Sequence, residues 1–274
     1  MKTIVITGSS SGIGKASAKY FAEQGWNVAA TMRTPNKETE LTQHNKVKLY
    51  TLDVTDKNSV DKATEEILND FSTVDVVLNN AGYALMGPFE AASLQEIKSQ
   101  FDTNVFGLMN VTRAFLPHFR ANRSGIFMNV SSVGGLITFP LMSLYHSTKW
   151  AAEGFSESVA YELGQLGIQV KIIEPGGVAT DFGGRSMTYA SKESLTAYDE
   201  AVSTFRKNIA NAGIQSSTAE FLAQGIYNAA TDGKVQLRYV IGPDAENLYS
   251  TRRQVGDEDF VAGMKERIFG EGSK

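Results

Sequence analysis

Tyr145 and Lys149 stand four residues apart in the segment SLYHSTKW. On a helix that spacing stacks them one turn apart on a single face. A tyrosine normally titrates near ~10, too high for proton exchange at neutral pH. An ammonium beside the phenol favours the phenolate, and a further cation brought to the site would push the same way. Lowering the phenol by about three pH units takes roughly 4 kcal/mol of differential stabilisation, within reach of two close cations in a dry site. The pair reads as a general acid/base with its activator. A YxxxK pair alone is common on surface helices, so its weight depends on the residues around it. His146, the next residue, points about 100° around the helix from Tyr145 and is set aside.

Four other segments supply that company. Ser132, in MNVSSVGG, follows a strand-like run and is placed to donate to a substrate oxygen. LNNAGYA ends another such run, where Asn79, Asn80, Ala81 and Gly82 leave small, polar backbone beside a bound ring. Asn104, in FDTNVFG, is a polar residue inside an otherwise apolar helical pattern, and EPGGVATD closes a further strand. Open parallel sheets gather ligands at the carboxyl ends of their strands, where these segments fall. Singly each has an ordinary explanation: strand ends are often polar, and Asn104 would equally satisfy a helix carbonyl. Together they predict one site.

Near the start, VITGSSSGIGKASAKYF (residues 5–21) sets Gly8, Gly12 and Gly14 between a strand pattern and an alanine-rich helix pattern. A helix N-terminus presents unpaired N–H groups and a partial positive charge. Glycines let a pyrophosphate approach those groups, and Ser9, Ser10 and Ser11 add hydroxyl donors. The GxxxGxG spacing differs from the commoner GxGxxG fingerprint. At the end of the second strand, NVAATMRTPNK has Met32 where NAD-preferring folds carry an acid, and Arg33 follows. An arginine's planar fork suits a 2′-phosphate. The expected cofactor is NADP(H), with NAD(H) as the alternative.

These residues need a scaffold, and the patterning supplies one. Thr3–Thr7, Asn27–Met32, Lys46–Leu52, Asp75–Asn79, Gly125–Ser131 and Ile168–Glu174 read as strands, several of them continuous apolar runs. Helical patterns lie between them at about 12–24, 57–71, 93–122 and 143–164. Such alternation implies right-handed crossovers and a parallel sheet with helices on both faces. Leu237–Ile241 reads as a last edge strand before a polar tail. Leu195, Tyr198, Val202, Phe205 and Ile209 mark one more helix, either a cap on the core or, hinged at Gly183 and Gly184, a lid over about 181–212.

The bulk numbers bound the rest. The chain has 274 residues, 42% hydrophobic and 20% charged, enough for one α/β domain. A formal net charge of -4 argues against nucleic acid and anionic membranes as partners. Without cysteine there is no disulfide or thiolate, and the three histidines are too scattered for a metal cluster. No apolar run approaches membrane-spanning length and the first strand begins at Thr3, so a cytoplasmic protein without a signal peptide is expected.

The motif set TGxxxGIG, NNAG, N, SS, YxxxK and PG, in that order over about residues 1–240, resembles the short-chain dehydrogenase/reductase family. Within it, SSSGIG, ATMR and YHSTKWA are similar to hydroxysteroid and retinol dehydrogenase-like members. The resemblance implies a doubly wound Rossmann sheet of about seven strands in a single domain. Its dinucleotide-binding half would span about 1–131, and its catalytic and substrate region about 132–274. It implies a tetrad of Asn104, Ser132, Tyr145 and Lys149. Tyr145 would be the acid/base and Ser132, at the family's spacing of 13 before it, would polarise the carbonyl. Lys149 would bind the nicotinamide ribose and lower the Tyr145 pKa, and Asn104 would hold a water. The cofactor would lie on Gly8, Ser10, Ser11, Gly12, Ile13 and Gly14, with Arg33 at the 2′-phosphate. Asp53 and Val54 would meet the adenine; Asn80, Ala81 and Gly82 the adjoining ribose. Pro175, Gly176, Val178 and Thr180 would meet the nicotinamide amide.

The implied reaction is hydride transfer between NADP(H) and a carbonyl or secondary alcohol. Tyr83, Leu85, Met86, Leu141, Met142, Phe182, Met187 and Tyr189 are bulky candidates for an apolar substrate pocket. Two other readings compete: an isomerase or lyase relative of the same fold, and a cofactor-binding sensor without turnover. The first lacks its larger C-terminal domain here, and the second would be expected to lose part of the tetrad. Phe106, Leu108, Phe115, Phe119, Phe155 and Tyr161 put more apolar surface on two helices than a sheet face needs. The family's helix-paired homodimer or homotetramer is therefore expected.

Overall fold

In the computed structural model, residues 1–178, 187–211 and 216–270 are described, residues 209–211 by backbone alone. The strand patterns become β1 (Thr3–Ile6), β2 (Asn27–Met32), β3 (Val47–Thr51), β4 (Val76–Asn79), β6 (Gly125–Val130), β7 (Ile168–Pro175) and β9 (Arg238–Ile241). They form one seven-stranded sheet in the order β3-β2-β1-β4-β6-β7-β9, parallel throughout. The chain reverses its direction across the sheet between β1 and β4, the crevice where such sheets receive ligands.

Successive strand residues face opposite sides, and each side has its own core. Ile4 and Ile6 pack with Phe21 of α1 (Gly12–Glu23) and Leu222 and Ile226 of a late helix. Val5 points the other way, toward Val60 and Ile67 of α2 (Lys57–Phe71) and Phe115 and Phe119 further on. Burying each of these phenylalanines contributes about 1.5–3 kcal/mol. Phe115 and Phe119, together with the mostly buried Leu108, thus belong to the core and leave Phe106 and Tyr161 as the exposed members of the apolar set.

The 93–122 pattern is not one uniform helix. It runs as α3 (Leu94–Phe101), a π-helical turn over Asp102–Phe106, and α4 (Gly107–Asn122). The turn carries Asn104 inward, a placement typical of functional π-bulges. Tyr145 and Lys149 do lie on one helix, α5 (Ser143–Gly164). A two-stranded parallel ribbon of β5 (Ala84–Met86) and β8 (Met187–Tyr189) stands apart from the main sheet.

The expected helix after residue 195 is α6 (Asp199–Asn211), with Phe205 buried among core residues. Phe205 packs with Ile137 and Met264, while the hinge glycines Gly183 and Gly184 and the pocket candidate Phe182 lie outside the described residues. After α7 (Ala219–Thr231) and β9, the expected polar tail is instead two helices, α8 (Pro243–Val255) and α9 (Asp257–Phe269). Phe260, Met264 and Ile268 recur every four residues, and that stripe packs against Phe205. Among the described residues, no helix is long and apolar enough to cross a membrane.

Candidate active site

Gly8, Gly12 and Gly14 form the turn from β1 into α1. Gly12 has φ of 54°, and a Cβ there would meet nothing within 4 Å. Its surroundings are open, and its backbone conformation suits glycine. A Cβ on Gly14 would lie 2.4 Å from the Gly8 carbonyl oxygen and 2.5 Å from Asn80 Nδ2. The turn is therefore packed tightly on one side and open on the other. Ser11 caps α1 without its hydroxyl being used, and the first turn carries no acid. Both features leave the N–H groups and the dipole for an outside anion. Ser9 is a correction: it is buried and donates to the Ile6 carbonyl at 2.9 Å, so only Ser10 and Ser11 remain as donors. Ile13 packs against the core below the turn.

The end of β4 is tied to this turn. The Thr7 hydroxyl accepts from the Asn80 and Ala81 N–H groups at 2.9 and 3.0 Å, and Asn80 Nδ2 donates to the Thr7 carbonyl at 2.9 Å. Asn79 faces inward instead, donating to Asn129 at 2.9 Å and Thr112 at 3.1 Å. Arg33 is exposed at the end of β2. Asp53, past β3, accepts from Thr55 through the backbone N–H and the hydroxyl. Val54 is buried, its side chain against Gly107.

Ser132, Tyr145 and Lys149 converge where β6 ends. Lys149 is buried, and its Nζ donates to the Val130 carbonyl at 2.9 Å. The same ammonium lies 5.7 Å from the centre of the Tyr145 ring. Burial pushes Tyr145 up from its ordinary value, and the Ser132 hydroxyl beside it pulls the other way. Burial also lowers Lys149 to about 8, opposed by the charge of Glu153. With burial the largest influence, Tyr145 stands above rather than below its ordinary value in the ligand-free protein.

Asn104 anchors a neighbouring loop. Its Oδ1 accepts from Tyr83 N–H at 3.0 Å, and its Nδ2 donates to the Tyr83 carbonyl at 2.9 Å and Thr148 at 3.0 Å. Gly82 lies against the same carboxamide, where a Cβ would be 3.1 Å from Oδ1. The side chain is therefore committed to holding the β4 end onto α5. His146 is buried between the Phe139 N–H and the Gly134 carbonyl, at 2.9 and 2.8 Å, and serves the loop after β6.

Pro175 ends β7, and Gly176 and Val178 follow beside the crevice; Thr180 lies outside the described residues. Asp244, which sequence reasoning missed, accepts from Gly177 N–H at 2.6 Å while its other oxygen is buried. Glu153 was also missed, although it continues the series Tyr145, Lys149 at the same four-residue step. Glu174 and Arg238, which it meets from α5 on the neighbouring strands β7 and β9, share no local pattern with it.

A cavity of about 760 Å³ opens between the β5–β8 ribbon and α6, where Met86, Leu141, Met187, Tyr189, Val202 and Phe205 share the lining with the charged Lys192, Glu193, Asp199 and Arg206. Four of these are expected pocket residues. Leu141 is held in the left-handed region at φ 58°, an outlier of the kind that gathers at functional sites. Leu85 belongs to a separate buried cluster with Leu144, and Met142 packs into the core.

Comparison with known proteins bears on this arrangement. A family model described as short chain dehydrogenase matches residues 2–189. An uncharacterized oxidoreductase of Schizosaccharomyces pombe is 36% identical over 237 residues, covering 86% of this chain and 99% of that protein. A short-chain dehydrogenase from Streptomyces avermitilis superposes with a TM-score of 0.84 at 32% identity, covering 97% of each chain. The structure of ElxO with NADP bound superposes with a TM-score of 0.74 at 26% identity, covering 90% of this chain and 99% of that one.

Proposed function

The chain belongs to the short-chain dehydrogenase/reductase family of oxidoreductases, and from that premise we propose an NADP(H)-dependent carbonyl reductase or alcohol dehydrogenase. The observation that carries this reading is the meeting of Tyr145, Ser132 and Lys149 at the end of β6, beside a glycine turn with one open side. The turn fits a diphosphate, since it combines unpaired helix N–H groups with a Gly12 whose missing Cβ leaves room. Gly8, Gly12, Gly14, Ser10 and Ser11 would hold the phosphates, and Arg33 would meet a 2′-phosphate. The NADP in the ElxO structure supports this choice of cofactor. Asp53 and Val54 would flank the adenine, with Asn80, Ala81 and Gly82 on the ribose side. Pro175, Gly176, Val178 and Thr180 would face the amide.

NADPH supplies a hydride when bound. The residues do the rest. Ser132 and Tyr145 hold the carbonyl oxygen through their hydroxyls, and Tyr145 gives its proton to the oxygen as negative charge develops there. Lys149 keeps a cation beside the phenol, which favours release of that proton. Asn104 keeps the β4 end and α5 in register, and its family role in holding a water falls to this same position. In the oxidative direction Tyr145 acts as base. The apolar part of the cavity lining suits a small to medium hydrophobic ketone, aldehyde or secondary alcohol. Exposed Phe106, Trp150 and Tyr161 on neighbouring helical faces support a homodimer or homotetramer, which light scattering would test.

The test is consumption of NADPH and NADH with a panel of ketones, aldehydes and quinones, with Tyr145→Phe as control. NADPH preference that vanishes in the variant is the expected result. Tight NADPH binding with no turnover on any substrate would favour a sensor, and product without net cofactor consumption an isomerase.

A further inference from the structure

One helical turn beyond Lys149 lies a buried acid pair that the proposed chemistry does not use. Glu153 on α5 and Glu174 on β7 are 5% and 0% exposed. Arg238 of β9 lies between them, its Nε 3.1 Å from Glu153 and 3.4 Å from Glu174. Its Nη2 meets the half-exposed Glu157 at 2.6 Å. One oxygen of Glu153, both of Glu174 and the Ser131 hydroxyl are buried without a hydrogen-bond partner. The turn after β6 seals the cluster: a Cβ on Gly135 would lie 2.5 Å from Ser131 Oγ and 2.9 Å from Glu153 Cγ.

Two carboxylates cannot both stay charged cheaply beside one guanidinium in such a place. Burial raises Glu153, and burial together with the neighbouring acid raises Glu174 to about 9. Lys149, one helical turn from Glu153, is the other cation in the cluster. The charges of Lys149, Arg238, Glu153 and Glu174 sum to zero when all are ionised. They also sum to zero with Lys149 neutral and one proton on the acid pair. The buried group therefore has two neutral arrangements that differ by where one proton sits.

We propose that Glu153 and Glu174 are positioning residues that share a proton with Lys149 and so decide over what pH range the lysine is charged. The groups facing the pair are Lys149 and Glu157 from α5, Glu174 from β7, Arg238 from β9 and the Ser131 hydroxyl after β6. An ionised Glu153 holds Lys149 cationic; Glu174 competes by making that ionisation harder. The consequence for catalysis rests on Lys149 acting with Tyr145, but the charge coupling does not.

The opposed roles give a test with two signs. The protein is labelled with 13C-lysine, and the Lys149 Cε resonance is assigned by its loss in Lys149→Met. It is then titrated in the ligand-free protein, where a midpoint near pH 8 is expected. Glu153→Gln removes the supporting charge and should lower the midpoint by about one pH unit. Glu174→Gln removes the competitor, leaves Glu153 ionised, and should raise it, by less than that because Glu174 already carries the pair's proton over much of this range. Glu157→Gln, at the exposed end, should leave it in place. Midpoints that move the same way in both buried variants, or stay within experimental error, would overturn the proposal. If one variant does not fold, the sign in the other decides. Because no turnover is read, the titration can fail in an active enzyme and succeed where no substrate is found.

Discussion

Replacing Gly14 or Gly12 by alanine separates packing from ligand space at the glycine turn. In Gly14→Ala the new Cβ meets the Gly8 carbonyl oxygen at 2.4 Å, against the 3.4 Å where ordinary contact begins, so the turn must yield by 1.0 Å (3.4 − 2.4). Overpacking of that kind costs about 1–3 kcal/mol. It also crowds Asn80 Nδ2, which ties the β4 end to the turn. At roughly 2 °C per kcal/mol for a chain of this size, Tm falls by about 2–6 °C. Gly12→Ala meets no atom within 4 Å and carries only the strain of φ 54°, about 1 kcal/mol or ~2 °C. Its methyl nevertheless projects into the space assigned to the diphosphate, so NADPH affinity should drop at least about tenfold, or ~1.4 kcal/mol. Gly25→Ala is the control: it has φ 88°, nothing within 4 Å, and no place at the site. Scanning fluorimetry reads the first effect and NADPH fluorescence titration the second. If Gly12→Ala and Gly25→Ala bind NADPH equally well, the reasoning about the open side of the turn is wrong.

Three further outcomes follow from other parts of the molecule. Arg33→Ala should weaken NADPH by about 10- to 100-fold, the worth of charged hydrogen bonds, with little change for NADH in parallel kinetics; equal losses for both would remove Arg33 from the 2′-phosphate. Lys171 is buried and donates to the Ala229 carbonyl, Asp232 and Tyr239 at 2.7, 2.8 and 3.1 Å. Lys171→Met leaves the Ala229 carbonyl without its donor and should cost about 1–3 kcal/mol in urea unfolding, and a loss well below ~1 kcal/mol would show that water repairs the site. Burial holds His146 below its ordinary value, against the opposing Gly134 carbonyl. Its stabilisation is complete above pH ~6.5, the unfolded value, and is lost as pH falls toward the native one, by up to ~1.4 kcal/mol per pH unit. His146→Asn should flatten that slope, and an unchanged slope would place the acid sensitivity elsewhere.

The strands and the α1, α2 and α5 helices were legible locally, because a strand buried on both faces must be apolar along its length and a surface helix must repeat every three to four residues. The glycine turn and the Tyr145–Lys149 pair were legible for the same reason, since each is a short-range spacing. The π turn at Asn104 was not, because one extra residue per turn leaves the apolar pattern of a long helix almost unchanged. Nor was the direction of Ser9, where turn geometry rather than residue type sends the hydroxyl to Ile6. The helices after Ile241 hid their stripe among charged residues, and it acquired meaning only when Phe205 came to lie against it. The sequence by itself determined which residues could carry protons and anions, because chemistry is a property of side chains and near spacing. Only the tertiary structure decided their charge: β6, β7, β9 and α5 close around Lys149, Glu153, Glu174 and Arg238, and burial away from water is what couples groups 85 residues apart in the chain.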